Sequence, residues 1–261
     1  MDAVGEYNLA RWKALAEADA LFTRPRLDLD VTSARKWIDP DGRFGEISGK
    51  DVLCLAAGGG QQSAAFALLG ANVTVVDLSP EQLERDVRVS AEYGVNIKTV
   101  QADMRDLSQL ASSSFDLVHQ PYSINFVPDC LEVFGQVARL LRFGGQFWLS
   151  FGNPFTMNTR PDYWNGEGYV LDGPYVSGAE ITYTDQEWVY DREGNASIEQ
   201  PVEYRHNLAT VINGLIDLGF SIRHLSDNTD IHPDGHAEPG SWDHFVAFAP
   251  PWLTLLARLE N

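Results

Sequence analysis

Residues 51–77 read DVLCLAAGGGQQSAAFALLGANVTVVD. An apolar run, three glycines, a stretch of small helix formers, a second apolar run and an aspartate follow in that order. This predicts a strand over 51–57, a glycine turn, a helix over 61–69 ended by Gly70, and a second strand over 72–76. The second strand has no polar alternation, as expected of a strand covered on both faces. In such a unit the glycine loop and Asp77 fall at the same end of neighbouring strands. Glycine lets a backbone approach a ligand closely and take positive φ. The N–H groups that open the following helix suit a phosphate or a carboxylate. A carboxylate 19 residues after Gly58 is placed to accept both hydroxyls of a ribose. The stretch predicts a cradle for a nucleoside-type cofactor.

Downstream the alternation continues. Ser79 caps a helix with Pro80 at its first position, running to Tyr93. Further strands are expected over 96–101, 115–119 and 146–151. A helix opened by Pro128 and Asp129 reaches 141 and is closed by Gly144 and Gly145. Strands alternating with helices of this length require right-handed crossovers and a parallel sheet. Upstream, residues 7–22 place Leu9, Trp12, Leu15, Ala16 and Ala20 at helical spacing. A second helix, capped by Asp30 or Thr32, runs to Ile38. These helices either cover a sheet edge or close over the cofactor, with Tyr7 and Trp12 offering aromatic faces.

The pattern breaks at Asn153. Residues 154–205 are rich in Gly, Pro, Asp and aromatics and hold six of the nine tyrosines. Short antiparallel strands over 181–183, 188–190 and 197–204, with a turn at 192–195, predict an inserted β-rich flap. A helix over 206–218, ended by Gly219, resumes the pattern. Strands over 220–225 and 244–248 flank a polar loop, 226–243, and predict an antiparallel edge hairpin. The expected architecture is a Rossmann-like α/β fold in one domain. Its seven-stranded, mostly parallel sheet has helices on both faces. Its parts are a helical cover (1–48), a cofactor-binding core (49–153), the flap (154–205), and a late helix with edge strands (206–261).

The 261 residues are 44% hydrophobic, enough for a substantial core. Thirty-seven acids against 19 bases give a formal charge of −18. Such a surface repels phosphate backbones and anionic lipids, so neither nucleic acid nor membrane is expected as a partner. Cys54 and Cys130 have no metal-like or CxxC spacing and read as reduced, buried thiols. The N-terminus lacks a signal-peptide pattern and no apolar run spans a bilayer, which predicts a cytoplasmic protein.

No Walker lysine follows the glycines, which argues against a phosphate-binding P-loop. Ser63 stands where a dinucleotide fingerprint has its third glycine. The following runs decide between cofactors. LCLAAGGG is similar to the first motif of the class I S-adenosylmethionine-dependent methyltransferases that act on small molecules. It keeps glycines at 58 and 60 and has alanine where that family often has an acid or its first glycine. VVDLSPEQL, with Asp77, Leu78 and Gln82, resembles the second motif, and QADM, with Asp103 and Met104, the third. SFDLVHQPYSINFVPD resembles the fourth, RFGG the turn before the fifth strand, and HNLATVINGLIDLGF the late helix. The resemblance covers residues 49–153 well and 206–249 more loosely.

The resemblance implies S-adenosylmethionine as cofactor and a small-molecule O or N acceptor. It implies that Ala56, Gly58 and Gly60 cradle the cofactor, with Trp12 closing over it. Asp77 would hold the ribose, with Leu78 and Gln82 beside it. Asp103 would read the adenine amino group and Met104 pack on the ring. Gln120 would flank the methionine moiety. Tyr122 and His206 are candidates for the acceptor pocket, and His119, Tyr122 and His206 for a general base. No residue is assigned a catalytic role. An NAD-dependent oxidoreductase and a non-catalytic S-adenosylmethionine-binding protein are the alternatives. HQPY lacks the first proline of the amino-directed DNA methyltransferase motif. Asp230, His232, Asp234 and His236 alternate like metal ligands, but Pro233 and Gly235 make that run a loop, and no metal is expected.

Overall fold

The computed structural model describes residues 1–182, 198–227 and 232–260. In chain order the elements are α1 (Ala3–Glu17), α2 (Val31–Ile38), β1 (Asp51–Leu55), α3 (Gln62–Leu68), β2 (Asn72–Asp77), α4 (Pro80–Tyr93), β3 (Ile97–Gln101), β4 (Phe115–Gln120), α5 (Cys130–Leu140) and β5 (Leu141–Gly152). They continue with β6 (Glu180–Thr182), β7 (Val202–Tyr204), α6 (Leu208–Asp217), β8 (Phe220–Ser226), α7 (Trp242–Phe248) and β9 (Trp252–Leu259).

Seven strands form one sheet in the order β3-β2-β1-β4-β5-β9-β8. The first five are mutually parallel, and β9 runs antiparallel to both β5 and β8. This is the mostly parallel Rossmann-like sheet expected, with an antiparallel pair at one edge. β1 and β4 sit at the centre and are buried along nearly their whole length because both faces are covered. One core, around Leu53, Val118, Phe134 and Phe147, packs under α5 and α6. The other, around Val52, Cys54, Phe66 and Val75, packs under α2, α3 and α4. Chain reversal at β1, with β2 on one side and β4 on the other, leaves a crevice beyond the strands' carboxyl ends, where such sheets bind ligands.

Four expectations need correction. The last strand is β9, and residues 244–248 belong to α7. Ser241 accepts from the His244 N–H to start that helix, and the paired Pro250 and Pro251 end it. Its buried residues, His244, Phe245 and Val246, pack against Tyr169 and Trp164 rather than in the sheet. The first helix starts at Ala3, where the Asp2 side chain accepts from the Gly5 N–H, and stops at Glu17. β5 begins directly after α5, with a register irregularity opposite Phe115 and Leu117. Among the described residues of the flap, β6 pairs with β7, with Ile181 opposite Glu203, and Trp164 bridges Tyr169. The expected strand over 188–190 and the turn at 192–195 lie outside the described residues.

Candidate active site

The glycine loop closes on the protein itself. The Gly58 N–H donates to Asp77 Oδ2 at 2.8 Å, and the Ser79 N–H donates to Asp77 Oδ1 at 2.9 Å. The Gly59 and Gly60 N–H groups donate to the two oxygens of Asp86, at 3.0 and 3.1 Å, and the Ser63 hydroxyl hydrogen-bonds the same carboxylate. Asp86 comes from α4 and is fully buried. All three glycine amides therefore have partners within the chain. A protein carboxylate stands against the Gly59 and Gly60 amides. Burial pushes the Asp86 carboxyl up to about 7, against the opposing pull of its donors. Burial raises Asp77 as well.

Glycine is required at both 58 and 60, for different reasons. A Cβ on Gly58 would stand 2.9 Å from Asp77 Oδ2 and 2.8 Å from Gln82 Cβ. Gly60 has φ +72°, and a Cβ there would meet Val89 at 2.5 Å and the Arg85 carbonyl at 3.0 Å. Gly58 thus keeps the Asp77 carboxylate close, whereas Gly60 lets α4 approach the loop.

A cavity of about 920 Å³ opens from this loop. Ala56, Gly58, Asp77, Leu78 and Gln82 line it at the ends of β1 and β2, and Asp103 and Met104 line it beyond β3. Trp12, from α1, lines it from above. Asp103 also anchors that cover. Arg105 donates to Asp103 through Nε and Nη2, the latter at 2.7 Å, and to Asp2 through both terminal nitrogens at 2.7 Å. The guanidinium holds Asp2 well below the usual carboxylate range, and the two acids raise Arg105 in turn. Because Asp2 caps α1, this bridge fixes the start of the helix that roofs the cavity.

The opposite wall is apolar and aromatic, with Phe126, Met157, Trp242, Phe245 and Trp252. Tyr122 lies on it, with its hydroxyl 2.6 Å from the Glu203 carboxylate. Three predicted residues are not on the cavity wall. Gly60 is turned toward α4, as described. Gln120 is fully buried and donates to Ser123 Oγ at 3.1 Å. His206 is buried with Nε2 3.1 Å from the Ile124 carbonyl, where burial lowers its basicity. It joins the turn after β4 to the start of α6 and takes no place in the acceptor pocket. His119 is likewise a core ring, stacked on Trp148 at 4.1 Å, and burial lowers it to about 3. Neither histidine faces an acceptor as a base.

Sequence reasoning missed Asp86, Arg105 and Glu203. Asp86 had a signal. It falls in register with Gln82, Leu83 and Val89 on the buried face of α4, where an acid demands partners. Glu203 had none, because a three-residue strand is too short to show alternation. Among the described residues, no group of three or more His, Cys, Asp or Glu could hold a metal ion, and Asp230 lies outside them. Nor is any described helix long and apolar enough to cross a membrane.

Comparison with known proteins addresses what this crevice serves. Residues 53–149 match a family model described as a methyltransferase domain. The chain is 35% identical over 215 residues to the uncharacterized methyltransferase YbaJ of Bacillus subtilis, covering 81% of each protein. It belongs to the class I S-adenosylmethionine-dependent methyltransferases. The enzyme is also similar to an S-adenosylmethionine-dependent methyltransferase structure from Mesorhizobium loti. That match has a TM-score of 0.66 at 26% identity and covers 87% of this chain and 99% of the other. A ubiquinone biosynthesis O-methyltransferase of Xanthomonas euvesicatoria is 32% identical over 158 residues, 54% of this methyltransferase and 64% of that protein. S-adenosylmethionine is the cofactor. The crevice fits it: Gly58 leaves open the space that a Cβ would fill beside Asp77, and acids stand at the end of β2, Asp77, and beyond β3, Asp103.

Proposed function

We propose that this enzyme methylates an O or N atom of an apolar small molecule, held in the flap-side half of the cavity and acted on in the cytoplasm. S-adenosylmethionine supplies a methyl carbon already activated on a positively charged sulfur. The protein's work is then to bind, orient and exclude water. Asp77 holds the ribose hydroxyls and Asp103 the adenine edge. Ala56, Leu78, Gln82 and Met104 form the bed, and Trp12 the roof. Gly60 and Gln120 act from behind the wall, by shaping the loop and the turn after β4.

The observation that carries this reading is the continuity of one cavity from Gly58, Asp77 and Asp103 to the aromatic wall of Tyr122, Phe126 and Trp252. Aromatic walls suit planar or cationic acceptors. The name of the Xanthomonas relative supports an oxygen acceptor. The charge of −18 speaks against a nucleic acid. The NAD-dependent alternative meets a specific obstacle: its pyrophosphate would face the buried Asp86 carboxylate across amides already engaged.

Isothermal titration calorimetry tests the reading. S-adenosylhomocysteine should bind in the micromolar range or tighter and NAD should not. Asp77→Ala should weaken S-adenosylhomocysteine by roughly 30-fold or more, as loss of hydrogen bonds to a charged group predicts. Binding of NAD alone would overturn the proposal.

A further inference from the structure

Two indoles, Trp242 and Trp252, stand on the flap-side wall of the cavity. They come from different elements. Trp242 is the first residue of α7, directly after the cap Ser241, and Trp252 is the first residue of β9. Their ring centroids are 5.8 Å apart with the planes at 49°, and Trp242 meets the buried ring of Phe245 at 5.8 Å. Among the described residues no other ring packs on either indole. Trp242 keeps 45% of its surface exposed and Trp252 keeps 38%.

The backbone beneath them is fixed. Trp252 lies opposite Gly152 in the β5–β9 ladder. The turn before it is tied to Asn153, whose N–H donates to the Pro251 carbonyl at 2.8 Å and whose Nδ2 donates to the Pro250 carbonyl at 2.9 Å. The Thr156 hydroxyl donates to the Pro250 carbonyl as well, at 2.8 Å. In the sheet order β1-β4-β5-β9, Trp252 starts the strand three places from β1. At ~4.8 Å per strand that is about 14 Å from the glycine-loop end of β1, clear of the cofactor cradle.

The other aromatic group of this region is built differently. Tyr169 packs on Trp164, His244, Phe245 and Phe248, and its hydroxyl hydrogen-bonds His244 Nδ1. Those rings cover one another, as rings that serve only packing do. Trp242 and Trp252 leave large aromatic area uncovered on a rigid, concave wall, and a ligand that covers it gains the released water's free energy. The geometry selects the shape of that ligand. Two inclined planes offer a face for offset stacking and a second ring for an edge contact. A flat fused ring meets both at once, whereas a puckered saturated ring touches each through few atoms. An ammonium is held best by several ring faces turned on one point, and here two rings lie side by side.

We propose that Trp242 and Trp252 form the recognition site for a planar aromatic ring system on the methyl acceptor, an inference that rests on the methyl-transfer reading above. They are specificity-determining residues. They hold the ring and take no part in bond making.

The probes are 2-naphthol, which is flat and aromatic, trans-2-decalol, its saturated and puckered counterpart with the same carbon skeleton and hydroxyl, and tetraethylammonium. Each is titrated calorimetrically into enzyme saturated with S-adenosylhomocysteine. Wild type should bind 2-naphthol roughly tenfold more tightly than decalol, and tetraethylammonium more weakly than 2-naphthol. In NMR spectra the ring protons of bound 2-naphthol should move upfield, because they lie in the indole ring currents. Trp242→Ala and Trp252→Ala should each weaken 2-naphthol roughly tenfold and reduce that upfield shift, with decalol changed by no more than about threefold. Trp252→Phe keeps an aromatic face and should hold 2-naphthol within about threefold of wild type. S-adenosylhomocysteine affinity should stay within about twofold in all three variants. Equal affinity of the wild-type enzyme for 2-naphthol and decalol overturns the proposal, whatever the substitutions do to folding. So does a preference for tetraethylammonium, binding of none of the three probes, or unchanged 2-naphthol affinity in both alanine variants. A wild-type protein that fails to bind S-adenosylhomocysteine instead overturns the methyl-transfer reading itself.

Discussion

On the strand-end wall of the cavity, side chains are held by the sheet; on the opposite wall they are held by one another. Asp77 ends a strand paired with β1 over five residues, from Asp51 opposite Asn72 to Leu55 opposite Val76. Its position follows from backbone hydrogen bonds that extend through the centre of the molecule. Glu203 sits on a strand of three residues paired with β6, where a phenol and one buried asparagine are among its anchors. The aromatic end of the same wall is built likewise, with Tyr169 Oη 2.7 Å from His244 Nδ1 and Trp164 edge-on to that ring. The difference separates two tasks. On the proposed function, the cofactor is met by rigid backbone geometry, and the acceptor by side-chain contacts that substitution changes without disturbing the sheet.

The strongest way to break this separation is at Gly60. Gly60→Ala combines positive φ with overlap against Val89 and the Arg85 carbonyl. It should cost about 3 kcal/mol of stability, measured by urea denaturation. S-adenosylhomocysteine affinity should fall with it, because loop and α4 move together. A neutral outcome would show that the loop yields easily.

Asn125→Ala attacks the opposite wall. It strands the Gly152 N–H and the Tyr204 carbonyl, both deprived of a buried partner. The expected cost is about 2 kcal/mol. Calorimetry should find S-adenosylhomocysteine affinity within about twofold of wild type. A large loss of that affinity would erase the distinction between the walls.

A pH scan sharpens the account of Asp86. Its carboxyl titrates near 7 in the fold against about 3.9 when unfolded. Between those values the folded protein holds the proton more tightly. This contribution to stability is therefore complete below about pH 4 and is lost as pH rises through about 7. Asp86→Asn has no such proton. Scanning calorimetry should show wild type losing on the order of 10 °C relative to the variant between pH 4 and pH 7. A constant difference would mean that the three donors outweigh burial and keep Asp86 ionised.

Much of the strand-end wall was legible in the chain because local pattern and geometry coincide there. The apolar runs, the glycines and Asp77 lie within 27 consecutive residues, and their spacing already places them at one end of the sheet. The error at residues 244–248 came from the opposite case. A short apolar run has no period of its own, and Ser241 with Pro250 and Pro251 decided in favour of a helix. β9, with its run LTLLARL, was hidden by lying last in the chain but between β5 and β8 in the sheet.

The sequence by itself determined the α/β order and the glycine loop and Asp77 at one end of neighbouring strands, since these depend on short-range periodicity and on glycine's freedom. Only the tertiary structure decided what those residues touch. It turned the glycine amides 59 and 60 to Asp86, 26 or more residues away in the chain, and tied Asp103 to the cap of α1 through Arg105. It also took His119 and His206 into the interior and brought Glu203 to Tyr122 across 81 residues. The reason is that a buried charge or hydrogen bond chooses its partner by burial and by distance in space, and neither is written in the local pattern of a chain.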